Sequence, residues 1–361
     1  VKLNPSKHSG RIATPTMVPN ALVLLLLASV LTYPLGGDAG PIARRMLSKE
    51  KMTAWISVCI TYDEIYTRIN PYSSDAESFL EYFKAFVKAT ELRFQDLENT
   101  RVILALRRIE EHTGNEALPV IETSSGNSYV DSDKTILALT KMRETRPNYY
   151  QDCDVFLFIT GNSVDTHLIN HDGTFHGLPL KGRFCEHESV AFIQDNGKTF
   201  SGVHSFAQQL AFLLDAPVET SSGYYKSLMS PPGVGFLYGV HLKGRLAIRT
   251  LVEKKTQVAG NNFGCWRDVP HSLVYPLPHD YLVTMSSPCG LYKLGKCNGP
   301  EQGLQIDGQQ VSAPPCKHMC CNERGRQEVV NWPDGRPCGV SAVCVSGWCV
   351  NLATGNVMQP E

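Results

Sequence analysis

The stretch that most limits the folds open to this chain is Val190-Ala191-Phe192-Ile193-Gln194, then Asp195-Asn196-Gly197, then Thr199 to Glu219. The first part reads as a strand, the second as a turn, and the third as a buried helix. Val203, Ala207, Leu210, Ala211 and Leu214 recur at helical spacing, so one face is apolar. Thr199 or Ser201 is expected to cap the start, since a hydroxyl there satisfies an otherwise unpaired backbone N–H. Asp215-Ala216-Pro217 is expected to end it, because the residue before a proline is pushed out of the helical region.

The same alternation runs upstream. Ala54 to Tyr62 is β-branched and aromatic, a strand by composition. Ser74 to Glu77 has the form of a capping box, and Phe79, Tyr82, Phe83, Phe86 and Phe94 form the buried stripe of a long helix. Val102 to Ile109 is a second strand, and Asp131 or Ser132 starts another helix with Ile136, Leu139, Thr140 and Met142 inward. Asp154 to Thr160 is continuously apolar after its first residue, as a strand covered on both faces should be. Strand and helix in alternation imply an α/β sandwich with a mainly parallel, twisted sheet.

Length and cysteine content set the remaining bounds. At 361 residues the chain can bury a full-sized core and carry a second small domain. A formal net charge of −1 points to neither nucleic acid nor an anionic membrane as partner. Of 12 cysteines, eight fall between Cys289 and Cys349, a density that fits an oxidising compartment. Ala21 to Leu31 is an apolar run too short to span a bilayer but suited to the core of a secretory signal, with cleavage near Ala39. With Met17 as the start, residues 1–16 read as leader, 17–39 as signal peptide and 40–51 as a short linker carrying Arg44-Arg45. No Asn-x-Ser/Thr sequon without proline occurs, so N-linked glycans are not expected. Secretion is the expected localisation.

From Ser287 the chain reads as a separate disulfide-stapled module. Cys289, Cys297, Cys316, Cys320, Cys321, Cys338, Cys344 and Cys349, with Cys265 upstream, are the disulfide candidates. Apolar residues are few there, so the bridges must supply what a core cannot. Eight cysteines leave on the order of 100 connectivities open. Zinc binding by these cysteines is the competing reading.

Val190 to Ile193, Thr199 to Val203 and the frame of Leu210, Leu213-Leu214 and Ala216-Pro217 resemble the active-site region of the reprolysin (adamalysin) branch of the metzincin zinc proteases. In that family the helix carries His-Glu-x-x-His-x-x-Gly-x-x-His: three histidines bind zinc and the glutamate activates the zinc-bound water. Carried over, the first ligand position here is Gln208, the base position Gln209, the second ligand Phe212, the turning glycine Asp215 and the third ligand Val218. Every chemical group of the motif is replaced while its frame remains. An aromatic and an aliphatic side chain are what would fill a cavity abandoned by a metal. A glutamine avoids leaving a carboxylate buried without its ion.

The resemblance therefore implies a metzincin-like domain over residues 52–286, a cysteine-rich domain over 287–361, no catalytic residue and no bound metal or other cofactor. The run Cys338 to Cys349 resembles the cysteine-rich domains of salivary metalloproteases of blood-feeding arthropods, ticks above all. That implies a secreted non-catalytic homologue acting by binding a host extracellular protein or peptide, in an antihaemostatic or immunomodulatory setting. A second reading is a working zinc endopeptidase whose ligands come from elsewhere, His167, His171 and His176 being the candidates. These three, with His204 one helical turn before Gln208, are otherwise cleft-rim residues. A third reading is an inert product of a decaying gene duplicate, against which stand the intact strands, caps and even cysteine count. The family also places a methionine turn below the zinc, and two segments compete for it: Leu228-Met229-Ser230-Pro231, and Cys265-Trp266-Arg267-Asp268 followed by Leu273-Val274-Tyr275. The second is the expected one, which makes about 223–264 an insertion.

Overall fold

The computed structural model describes residues 51–112, 120–122, 128–164, 178–219, 227–230, 239–258, 274–282, 287–297, 304–306, 309–311 and 314–358. Residues 49–361 form one compact unit.

Strand β1 (Met52–Tyr62) is followed by α1 (Glu64–Ile69) and α2 (Ala76–Leu92), then β2 (Thr100–Glu111). The cap of α2 is Asp75, whose carboxylate accepts the Ser78 N–H at 2.9 Å, so the box expected at Ser74 sits one residue later. A short antiparallel pair, β3 (Val120–Glu122) and β4 (Ser128–Val130), leads to α3 (Ser132–Thr145) and the single turn α4 (Pro147–Tyr150). Asp131 starts α3 by accepting the Lys134 N–H at 3.0 Å. Then come β5 (Val155–Thr160), β6 (Val190–Gln194), α5 (Val203–Leu213) and α6 (Leu242–Val258).

The main sheet has the order β2-β1-β5-β6, and every neighbouring pair is parallel. Its side chains alternate between two cores, as the period of a strand requires. Ile56, Val58, Ile60, Val155, Leu157, Ile159, Ala191 and Ile193 face the larger one, with Tyr82, Phe83 and Phe86 of α2 and Phe206 and Leu210 of α5. Phe156, Phe158, Val190 and Phe192 face the smaller one, with Ile136 and Leu139 of α3. Every residue of β5 is buried, which is why its sequence is apolar without alternation. Cys59 and Cys153 are bridged, tying β1 to the residue two before β5 with a Cα–Cα distance of 5.5 Å. Ile248 and Val252 of α6 are buried in the larger core, so the stretch expected as an insertion contributes to it.

Beyond α7 (Pro278–Tyr281) and a 3-10 turn at Pro288–Tyr292, the chain builds small antiparallel sheets: β7 (Leu304–Ile306) with β8 (Gln309–Val311), β9 (Lys317–Cys321) with β10 (Gln327–Asn331), and β11 (Pro337–Gly339), β12 (Ala342–Val345) and β13 (Trp348–Asn351). Cys289–Cys320, Cys297–Cys321, Cys316–Cys344 and Cys338–Cys349 staple them. This region is not a free-standing bead. Val343, Val345 and Val350 share a buried cluster with Leu92 at the end of α2. The next residue, Arg93, is buried and ion-paired with Asp334. Gly355 lies so close to Gln95 that a Cβ there would come within 2.2 Å of its carbonyl oxygen. Among the described residues no helix is long and apolar enough to cross a membrane.

Candidate functional site

The strand–turn–helix unit is organised by a carboxylate that spacing alone did not single out. Asp195, fully buried, accepts at Oδ2 from the hydroxyls of Tyr66 (3.0 Å) and Tyr82 (2.7 Å) and from the Gly197 N–H (3.0 Å). At Oδ1 it accepts from the Ser201 hydroxyl (3.0 Å) and the Gly202 N–H (2.7 Å). Burial and the Asp195 charge push both tyrosine hydroxyls up from their ordinary range. The helix cap expected at Thr199 or Ser201 is therefore supplied across the turn. The residue before α5 is Gly202, which has no side chain to cap with, and α5 starts at Val203 rather than Thr199. The turn itself follows the sequence, with Gly197 at φ +67°.

Along α5, Val203, Ala207, Leu210, Ala211 and Leu214 are all buried, as their spacing predicts. Gln209 is buried with them at 7% exposure and faces the backbone of β6. Its Oε1 accepts the Phe192 N–H at 2.9 Å and its Nε2 donates to the Phe192 carbonyl at 2.6 Å. These are the backbone groups of β6 turned away from β5, so a primary amide takes the place of a neighbouring strand. A carboxylate could accept from the N–H but has no proton for the carbonyl.

Gln208 points the other way and donates from Nε2 to the Ser230 carbonyl at 3.1 Å. Ser230 belongs to a tight turn in which Ser227 N–H donates to the Ser230 hydroxyl oxygen (2.8 Å) and Ser230 N–H to the Ser227 carbonyl (3.1 Å). Leu228 and Met229 of this turn are fully buried, and the Glu219 N–H donates to the Met229 carbonyl at 3.0 Å. Of the two segments competing for the methionine turn, this one lies against the helix. Cys265 to Asp268 lie outside the described residues.

Phe212 and Val218 are half-buried and pack on the larger core. Asp215 closes the helix. Its N–H donates to the Phe212 carbonyl and the Ala216 N–H to the Ala211 carbonyl, each at 2.9 Å, the pattern of a Schellman end. Its φ is +76°, in the region that favours glycine, and its carboxylate pairs with Lys181 at 3.4 Å.

His204 is held down to about 3, first by burial and then by the Arg93 charge, so it is neutral at pH 7. His187 is exposed, with Nδ1 3.3 Å from Glu188. His167, His171 and His176 lie outside the described residues. Tetrahedral zinc needs imidazole nitrogens, thiolates or carboxylates. The positions on and after α5 offer two engaged amides, a benzyl group and an isopropyl group, which do not fit that ion. Two further groups bring sulfur and nitrogen together, Cys289 with His318 and Cys320, and Cys316 with Cys338 and Cys349. All five cysteines are in disulfides, so none is a thiolate ligand.

Cys185 is disulfide-bonded too, and no described cysteine is free. The candidate set drawn from sequence left out Cys59, Cys153 and Cys185. The signal was available in the even count and the oxidising reading, which apply to buried strands as much as to loops.

No protein-family model matches the chain. Over 68 residues it is 40% identical to a disintegrin and metalloproteinase with thrombospondin motifs, adt-1, of Caenorhabditis elegans, a match covering 17% of this chain and 5% of that protein. A solved chain described as the structure of a chaperone–substrate complex aligns at 11% identity with a TM-score of 0.37, over 57% of this chain and 35% of that one, too slight a likeness to carry an argument. The chain thus has partial similarity to a metalloproteinase and a mixed α/β fold with a disulfide-rich end.

Proposed function

We propose that this chain is a secreted, non-catalytic homologue of zinc metalloproteases that acts by binding. The observation that carries the reading is Gln209. At the position matching the family's base, its amide is spent on both backbone groups of Phe192. Peptide hydrolysis by that family's route needs a Lewis acid and a base, and the aligned positions Gln208, Gln209, Phe212 and Val218 supply neither. The disulfides and the metalloproteinase similarity support an extracellular setting. The partner is then a host extracellular protein or peptide. The salivary antihaemostatic or immunomodulatory context rests on the resemblance of the run Cys338 to Cys349.

The test is metal analysis of the purified full chain, together with incubation on casein and fibrinogen with and without a chelator. Less than stoichiometric zinc and no chelator-sensitive cleavage are expected. Tight stoichiometric zinc with chelator-sensitive cleavage overturns the proposal and returns the histidines at 167, 171 and 176 to the foreground.

A further inference from the structure

We infer that α6 and the α2–β2 connection form a docking site for an acidic segment of a partner protein that carries an aliphatic side chain. The pocket here encloses about 130 Å³ and is lined by Leu97 and Thr100 from the connection and by Leu242, Arg245, Leu246 and Arg249 from α6. That is close to the size of a cavity that takes one small hydrocarbon group.

Three independent features point to an occupant. Leu242 and Leu246, one helical turn apart, are 72% and 62% exposed, an apolar pair on a helix face that otherwise meets solvent. Thr100 is 2% exposed, and its hydroxyl is buried with no hydrogen-bond partner among the described residues, an arrangement that costs free energy unless something reaches it. Charge selects the kind of partner. α6 carries Lys243, Arg245, Arg249, Lys254 and Lys255 against Glu253 alone.

Some of that charge is already engaged. Arg245 pairs with Asp96 (2.9 Å) and Glu98 (3.7 Å), Arg249 with Glu253 (2.8 Å) and Lys255 with Glu186 (2.9 Å). Lys243 and Lys254, both exposed, have no ion pair among the described residues. The leucine pair is therefore flanked by cations, and an aliphatic side chain between carboxylates would place its apolar part in the pocket and its charges on the rim. No residue of α5 lines this pocket, so the inference stands whether or not the chain cleaves peptides.

The experiment titrates the full chain with the capped peptide Glu-Glu-Leu-Glu-Glu, its alanine counterpart Glu-Glu-Ala-Glu-Glu, its basic counterpart Lys-Lys-Leu-Lys-Lys, and a heparin fragment. The acidic leucine peptide is expected to bind at least about tenfold more tightly than the other two peptides, since filling the pocket and matching the charge each contribute. Leu246→Asp is on the surface and should leave the melting temperature unchanged while abolishing that preference. Thr100→Val, which removes the unpartnered hydroxyl, should raise the melting temperature and weaken the peptide. Equal binding of the leucine and alanine peptides, affinity unmoved by Leu246→Asp, no peptide binding at millimolar concentration, or a heparin fragment that binds regardless of Leu246→Asp overturns the inference.

Discussion

The helix α5 and the cysteine-rich end solve the same problem by opposite means. Around α5, order comes from burial: an apolar face, a carboxylate with five donors, and an amide standing in for a strand. In the segment beyond Ser287, the cores are groups of four buried residues or fewer, and four disulfides hold strands of three to five residues. The contrast follows from how much apolar surface each can remove from water. A region with a large core can exchange functional polar groups for packing and stay folded. A region without one depends on covalent links whose loss nothing nearby replaces.

The largest effect that would break this contrast concerns those links. Replacing Cys316 and Cys344 together by alanine should cost about 2–5 kcal/mol. The cost should appear as early proteolysis confined to the terminal strands. A uniform loss of stability across the whole chain would instead make the two regions equivalent.

Next comes a pair of opposed titrations. Burial raises Asp96 to about 6, partly offset by Arg245 and the Val240 N–H, whereas His204 of α5 is lowered to about 3. A raised carboxylate adds stability fully present below about pH 4 and lost as the pH climbs through 6. A lowered histidine adds stability present above about pH 6.5 and lost as the pH falls. Each amounts to about 3 kcal/mol over its window, with opposite sign, so the wild-type profile between pH 4 and 6 should be nearly flat. Asp96→Asn should leave stability falling towards acid, and His204→Leu should leave it rising. Denaturant midpoints measured at several pH values decide the matter, and parallel profiles for both variants would refute the assignment.

Gln209→Glu comes third, at about 1–3 kcal/mol, because it leaves the Phe192 carbonyl without its donor and brings a charge into the core. Gln209→Leu should cost a similar amount, since it abandons both backbone groups. If glutamate were tolerated as well as glutamine in thermal melts, the amide would not be holding β6. The smallest effect belongs to Asp215. Glycine there should stabilise by no more than about 1 kcal/mol, the relief at φ +76° being partly offset by the exposed ion pair with Lys181.

The sequence carried the elements well wherever hydrophobic period carried the information. The positions of β5, β6 and α5 follow from which residues are apolar, and burial agrees residue by residue. It was less informative where a polar group acts across distance. Asp195 caps a helix that starts eight residues later and gathers hydroxyls from α1 and α2, which no local window contains. Met229 was the less favoured of two candidates because flanking residues were weighed above proximity to the helix, yet the turn at 227–230 is the one Gln208 meets. The substituted positions on α5 were legible as losses of chemistry. What replaced that chemistry at Gln209, a pairing with a strand backbone, requires knowing that β6 runs alongside.

Leu92 and Arg93 end one helix yet answer to both parts of the molecule, one through three valines and the other through Asp334. A linker would let the terminal strands swivel and sample many separations from the α/β sandwich. This join fixes a single span instead, so a ligand touching both parts must match a set distance, as a gauge block admits only one gap.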